Sequence, residues 1–396
     1  MLIPPAQRLS SVNTYYFAQK LAEIARMNAE GTLPVINLGV GSPDLPPDDK
    51  VIDTLHDALS KQGAHRYQPY RAIPQLREAF AAWYKRHFGV RLNPDTEILP
   101  TIGSKEAVMH ISMAFLNPGD EVLVPDPGYP SYTMCARLAG AKDVSYDLNE
   151  KKGWLPDLDK IGSMDLSKTR IMWLNYPNMP TGAEADQNFL NELMAFAKAY
   201  GILICYDNPY ALITDNRPLS IFNADGAMDC ALELTSLSKN YNMSGWRIGA
   251  VAGASPYIDA ILTFKSNMDS GMFRPLQEAA ITALHLGEDW INELNKQYAE
   301  RRAEALKLIQ SLNIEFKTVG SGLFLWGKIP PEYPDATTMS DALLHTARVF
   351  ITPGHIFGRN GNQYLRISLC SPVSEFQEAL QRIDRYFIHA DKKIAL

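Results

Sequence analysis

Through the middle of the chain, short and almost wholly apolar runs alternate with longer stretches whose apolar residues recur every three to four positions. The runs at residues 121–125, 170–175, 202–207, 230–236 and 247–252 predict strands. Ile202-Leu203-Ile204-Cys205 contains no polar residue, as expected of a strand covered on both faces. Between these runs, Ala107, Ile111, Ala114 and Phe115 predict a helix over 104–116. Leu190, Leu193, Met194 and Ala197 predict another over 187–200. The alternation is that of an α/β fold, a mostly parallel sheet with helical crossovers. Past about residue 285 the pattern changes. A long polar-faced helix over 288–312 leads to strands at 322–327 and 364–369 and an amphipathic helix over 374–386. This last third predicts a smaller α+β domain, joined by roughly the first 45 residues.

Composition narrows the class without reaching chemistry. The 396 residues suffice for two or three domains and a large core, so neither disulfides nor a structural metal is required for folding. With 38 basic against 44 acidic residues the net charge is −6, which argues against a nucleic-acid or membrane-surface partner. No apolar run approaches a membrane span, and Met1-Leu2-Ile3-Pro4-Pro5 lacks a signal-peptide pattern. The four cysteines, at 135, 205, 230 and 370, form no closely spaced pair, so reduced thiols in a cytoplasmic protein are expected.

Several tempting motifs fail on inspection. Residues 322–328 spell most of a phosphate-binding loop, but Ile329 stands where a magnesium-binding hydroxyl is required and the intervening residues are apolar. Gly39-Val40-Gly41 begins a dinucleotide fingerprint that lacks its third glycine. No histidine pair has metal-ligand spacing, so no metal is expected. No Gly-x-Ser-x-Gly elbow occurs. What remains is a set of polar residues just after predicted strands. Asp207 ends one strand, Ser236-Leu237-Ser238-Lys239 ends the next, and Arg247 follows eight residues later. Strand carboxyl ends in open α/β sheets face one crevice. A carboxylate there can hold a pyridinium N–H, a lysine can form a Schiff base, and an arginine can bind a phosphate bidentately. Pyridoxal 5′-phosphate asks for that trio.

The order of short motifs resembles the fold-type-I pyridoxal-phosphate aminotransferases of class I/II over essentially the whole chain. The motifs are Gly39-Val-Gly-Ser-Pro-Asp44, Tyr67-Gln-Pro-Tyr70 with Leu76-Arg77-Glu78, and Gly103-Ser-Lys-Glu-Ala107. Asp126-Pro-Gly-Tyr-Pro130, Asn175-Tyr-Pro-Asn-Met-Pro-Thr-Gly182 and Tyr206-Asp-Asn-Pro-Tyr210 follow. The series closes with Ser236-Leu-Ser-Lys239, Gly245-Trp-Arg-Ile-Gly249 and Tyr364-Leu-Arg-Ile-Ser368. Within the family the chain is most similar to the branch of LL-diaminopimelate, aspartate and aromatic aminotransferases. The resemblance implies a large cofactor-binding domain over 46–285 and a small domain from 1–45 and 286–396, with the site between them.

It also implies roles. Lys239 would carry the cofactor as a Schiff base and then shuttle the proton between substrate and cofactor. Asp207 would keep the pyridine nitrogen protonated and Tyr210 would donate to the ring's phenolic oxygen. Gly103, Ser104 and Lys105, opening a helix, would offer backbone N–H groups to the phosphate, with Ser236, Ser238 and Arg247 adding side-chain donors. Tyr129 would stack on the ring. Arg366 would take the substrate α-carboxylate, with Val40 and Gly41 closing over it and Tyr15 nearby. Tyr67 and Ser270 would reach the phosphate of a second subunit, making a homodimer part of the site.

One departure is chemical. Where the family places asparagine before Pro-Thr-Gly, this chain has Met179, a weak sulfur acceptor. Asn175 or Asn178 could reach the phenolic oxygen instead, or Tyr210 could act alone; a raised Schiff-base pKa is expected. Ala72 also replaces a common glycine, and Arg274 lies in a stretch that by the resemblance approaches the partner's pocket, where it could pair with an acidic substrate side chain, a surface arginine being the plainer reading. The expected reaction is exchange of an amino group between an L-amino acid and a 2-oxo acid. A lyase eliminating at the C–S bond or from Cβ is the alternative on the same fold. A cofactor-binding regulator without catalysis is the third reading.

Overall fold

The computed structural model describes residues 3–11, 16–31, 33–214, 216–317 and 320–388. Its main sheet is built from β1 (Ile98–Thr101), β2 (Glu121–Asp126), β3 (Lys142–Asp147), β4 (Thr169–Asn175), β5 (Leu203–Asp207), β6 (Ala231–Ser236) and β7 (Gly249–Gly253). The spatial order is β1-β7-β6-β5-β4-β2-β3. All neighbours are parallel except β7, which runs antiparallel to both β1 and β6. This is the α/β sheet that the apolar runs predict.

Two strands escape the sequence pattern for physical reasons. β1 contains Pro100, which removes a ladder donor and is tolerated because β1 lies at the sheet edge. β3, at the other edge, reads Lys-Asp-Val-Ser-Tyr-Asp and is largely solvated on one side. The strand expected from residue 247 begins instead at Gly249. Arg247 is held at φ 58°, a left-handed conformation no strand can contain.

Helix α1 (Tyr16–Glu30) precedes the sheet, and α2 (Ser104–Phe115) and α3 (Gln187–Tyr200) are crossovers. Beyond α4 (Arg274–Leu284), the 24-residue α5 (Glu288–Ser311) leads into a second, three-stranded sheet. In it β8 (Phe324–Lys328) and β9 (Thr352–Pro353) flank β10 (Tyr364–Ser368), all antiparallel. α6 (Val373–Arg382) runs on into a π-helical turn, Ile383–Ile388. The N-terminal segment joins this end of the molecule: Ile36–Asn37 pairs in parallel with Val349–Phe350. Ile36 and Leu38 are buried in one apolar cluster with Phe324, Leu365, Ile367 and Phe376.

Register brings the chemistry to one edge. Asn175 pairs with Asp207 at the carboxyl ends of β4 and β5, and Ser236 and Thr101 both face Gly249. The segments after β1, β5 and β6 therefore open into the same crevice, roofed by the small sheet and α1.

Candidate active site

A cavity of about 480 Å³ lies between the two sheets. Among its lining residues, four side chains are cationic (Lys105, Lys239, Arg247, Arg366) and one, Asp207, is a carboxylate. A chain of net −6 thus concentrates positive charge where an anionic ligand would sit.

Asp207 is 4% exposed at the end of β5. Its Oδ2 accepts from the Tyr132 hydroxyl at 2.7 Å, while Oδ1 has no hydrogen-bond partner. Burial pushes the carboxyl up to about 7, partly countered by the Tyr132 hydrogen bond. A buried acceptor of this kind is costly unless something brings it a proton or a positive N–H. Tyr132, which the sequence reading did not single out, is itself fixed by stacking on Trp173 (4.7 Å, 4° between planes). Its signal was position: it follows Tyr129 by one helical turn on the helix Pro130–Leu138.

Lys239 lies on the short helix Leu237–Asn240, which Ser236 caps by accepting from the Ser238 N–H (3.2 Å). Its Nζ donates to the Gly41 carbonyl at 2.6 Å. Burial lowers its pKa, and Arg366 and Arg247 act in the same direction. A neutral amine is the form that can bond a carbonyl carbon or accept a proton.

At the mouth of α2, Gly103 adopts φ 79°, and a Cβ there would fall 2.1 Å from Arg247 Nη2. Only glycine lets the guanidinium and the helix end approach each other. The Gly103 N–H, expected to face a phosphate, instead bonds the Thr101 carbonyl at 2.8 Å, because the tight turn folds it back. Ser104 and Lys105, in the first turn of α2, line the cavity. Arg247 donates through Nη1 to Ser238 Oγ (3.2 Å) and the Ser244 carbonyl (2.9 Å).

Arg366, on β10, is 4% exposed, and its guanidinium carbon lies 4.1 Å from the centre of the Phe324 ring, 4.6 Å from Phe357 and 5.6 Å from Phe17. Nη2 donates to the Gly39 carbonyl (2.7 Å) and Nη1 to Met179 Sδ (3.3 Å). Val40 and Gly41 line the cavity beside it. A Cβ on Gly41 would fall 2.4 Å from the Phe324 ring. Arg301 ties this strap down, pairing with both Asp44 oxygens (2.6 and 2.9 Å).

Tyr210 is buried against Phe324 (5.8 Å, 83°), and burial raises its pKa despite the nearby Arg366. Tyr129 lines the cavity edge-on to Tyr132. Of the two asparagines near Met179, Asn175 lines the cavity and keeps one amide N–H beyond the bond it donates, whereas Asn178 does not line it. Asn175 donates to the Asp207 carbonyl (2.7 Å) and accepts from the Met179 N–H (2.8 Å), while Asn178 closes its own turn through Asn175 O and Thr181. Tyr210, Met179 and Asn175 line the cavity together.

Tyr67 and Ser270 do not line this cavity; both are exposed on adjoining segments, where the Gln68 carbonyl abuts Gly271. Arg274 pairs with Glu278 at 2.8 Å on α4. Tyr15 lies outside the described residues. Elsewhere, Glu106, His110 and Asp269 place possible metal-ligand atoms within 4.8 Å of one another, but the Lys265 ammonium, 2.6 Å from Asp269, already supplies positive charge there.

Lys239, Asp207 with one unpartnered oxygen, and Arg247 beside the opening of α2 thus meet at the strand ends of an α/β sheet. The chain belongs to the class I and II aminotransferases: residues 34–383 match the sequence model of that family. It is 39% identical to an LL-diaminopimelate aminotransferase of Dehalococcoides mccartyi over 383 residues, 96% of this chain and 98% of the relative. Apo-BacF from Bacillus subtilis superposes with a TM-score of 0.93 at 36% identity, covering 97% and 98% of the two chains. An aromatic aminotransferase from Pyrococcus horikoshii gives 0.85 at 29% identity, covering 93% and 99%. The protein is a pyridoxal-phosphate-dependent aminotransferase, and the named relatives lend the eliminating lyase no support.

Proposed function

We propose that this cavity holds pyridoxal 5′-phosphate and exchanges the amino group of an L-amino acid with that of a 2-oxo acid, using the residues above. The observation that carries the assignment is Asp207 Oδ1, buried and unpartnered in a cavity shared with Lys239. When bound, the cofactor supplies a ring that takes up the electron pair left on the substrate Cα by proton loss. Asp207 accepts the pyridinium N–H, and Tyr132 keeps the carboxylate turned toward it. Ser104, Lys105, Ser236, Ser238 and Arg247 receive the phosphate, Tyr129 covers the ring face, and Tyr210 donates to the phenolic oxygen. Arg366 binds the α-carboxylate in a cage of aromatic rings that excludes water and strengthens the pairing. Lys239 holds the cofactor covalently and, once displaced, moves the proton at Cα.

The residue division 46–285 against 1–45 with 286–396 fits a cavity between two sheets that α1 overhangs. The exposed Tyr67, Tyr70, Met268 and Phe273 support burial of this surface in a homodimer, with Tyr67 and Ser270 completing the second subunit's site. Four buried, unpaired cysteines suit the cytoplasm, and among the described residues no helix is long and apolar enough to cross a membrane.

The test is spectral. Adding an amino acid to the yellow holoenzyme should convert its absorbance to that of the aminated cofactor, and a 2-oxo acid should reverse it. No exchange across a broad panel of amino acids would contradict the assignment. Met179 gives a second test. Because its sulfur is a weak acceptor already used by Arg366, position 179 itself offers the phenolic oxygen no donor. Met179→Asn should lower the pH midpoint of the holoenzyme's absorbance change by about one pH unit, the worth of one charge-assisted hydrogen bond. An unmoved midpoint would remove Met179 from the cofactor's surroundings.

A further inference from the structure

Among the described residues lining the cavity, the charged groups are claimed by the cofactor and the reacting end of the substrate, and much of the remaining wall is apolar. Asp207, Lys239, Arg247 and Arg366 have the roles argued above, and Lys105 sits in the first turn of α2 at the phosphate end. Phe17, Ala18 and Leu21 from α1 and Phe357 also line the cavity, Phe17 and Phe357 against the Arg366 guanidinium at 5.6 and 4.6 Å, so a substrate with its α-carboxylate on Arg366 has apolar surface beside it. Leu21 is 43% exposed and lines the cavity, so an apolar surface stands open beside the site. Arg274, beside Phe273 of the proposed subunit contact, is held by Glu278, which also pairs with Lys61 at 2.6 Å. A distal carboxylate or ammonium on the substrate would lose its water against these rings without a counter-charge.

We infer that the amino donor of this enzyme carries a bulky uncharged side chain, aliphatic or aromatic, whose far end packs on Phe17, Leu21 and Phe357. This rests on the aminotransferase reading and names its substrate class. A pocket of this kind discriminates by tens-fold for each buried methylene and more strongly against an unpaired charge.

The holoenzyme is mixed with leucine, methionine, phenylalanine, alanine, aspartate or LL-diaminopimelate, and conversion of the cofactor's absorbance is followed in a single half-reaction. The best of the three bulky apolar donors should exceed alanine, aspartate and LL-diaminopimelate by about tenfold or more in kcat/KM. Leu21→Lys, a change at an exposed position, should shift the leucine-to-aspartate ratio toward aspartate by about tenfold. Aspartate or LL-diaminopimelate equalling the apolar donors, or an unchanged ratio in Leu21→Lys, would overturn the inference alone. Conversion by none of the six would overturn it together with the aminotransferase assignment.

Discussion

Replacing Lys239 by alanine is expected to lower kcat for transamination by at least about 10⁴-fold, because in the proposed mechanism one side chain supplies both the covalent attachment and the proton transfer. Its neighbours cannot substitute. Ser236 is committed to capping the helix, and Arg247 and Arg366 stay charged and cannot accept a proton. The folding cost should be small, since the loss in the structure is one hydrogen bond to the Gly41 carbonyl. Borohydride treatment followed by peptide mass analysis checks the attachment directly. The wild-type chain should carry the cofactor's mass on the peptide containing Lys239, and the variant should carry none. Small primary amines added to Lys239→Ala should restore part of the proton transfer. Full activity without Lys239, or cofactor fixed at another lysine, would displace it from its role.

Asp207→Asn should cost about 10³-fold in kcat, the loss expected when an electrostatic group facing developing charge is removed. One amide atom can still accept from Tyr132, but then the NH2 group turns to the place where the pyridine nitrogen would lie. A donor there favours the unprotonated ring, which takes up electrons poorly. The same substitution has a pH signature in the cofactor-free protein. The Asp207 carboxyl is raised from an ordinary 3.8 to about 7 by burial, so the folded state holds its proton more tightly than the unfolded chain. No destabilisation arises below pH 4; it grows as pH rises toward 7 and is constant above, of order 4 kcal/mol at the limit. Asn lacks this term. The melting temperature of Asp207→Asn minus that of wild type, both without cofactor, should therefore increase between pH 4 and 7 and then level off. Glu233 is also raised to about 7 by burial, but it is present in both proteins and cancels in the difference. A flat difference would mean that Asp207 is not shifted.

The legibility of this site followed from which groups local rules can see. Asp207, Lys239 and Arg247 stood out because polar residues placed after apolar runs mark strand ends, and strand ends share a crevice. Arg366 was visible as a charge inside Tyr-Leu-Arg-Ile-Ser, where Leu365 and Ile367 are buried at 1% exposure. Tyr132, Phe17, Leu21 and Phe357 were not legible. An aromatic or leucine in a helix looks like core, and only the packing of α1 and the small sheet over the crevice turns these residues toward a ligand. Gly103 shows the reverse limit. Its place at a helix mouth was evident, but the direction of its N–H depended on a turn that folds back onto Thr101.

By itself the sequence determined the α/β class, where most of the central strands lie along the chain, and the placing of Asp207 and Lys239 just after apolar runs. Those features rest on periodicity and on residues near in sequence to strand ends, which local rules capture. The tertiary structure alone decided that Asp207 keeps one oxygen unpartnered, that Arg366 is caged by Phe324 and Phe357, and that Met179 answers Arg366 through sulfur. Two of these rest on contacts between segments far apart in sequence, Tyr132 with Asp207 across 75 residues and Met179 with Arg366 across 187. Long-range packing of that kind sets desolvation, and desolvation sets the chemistry.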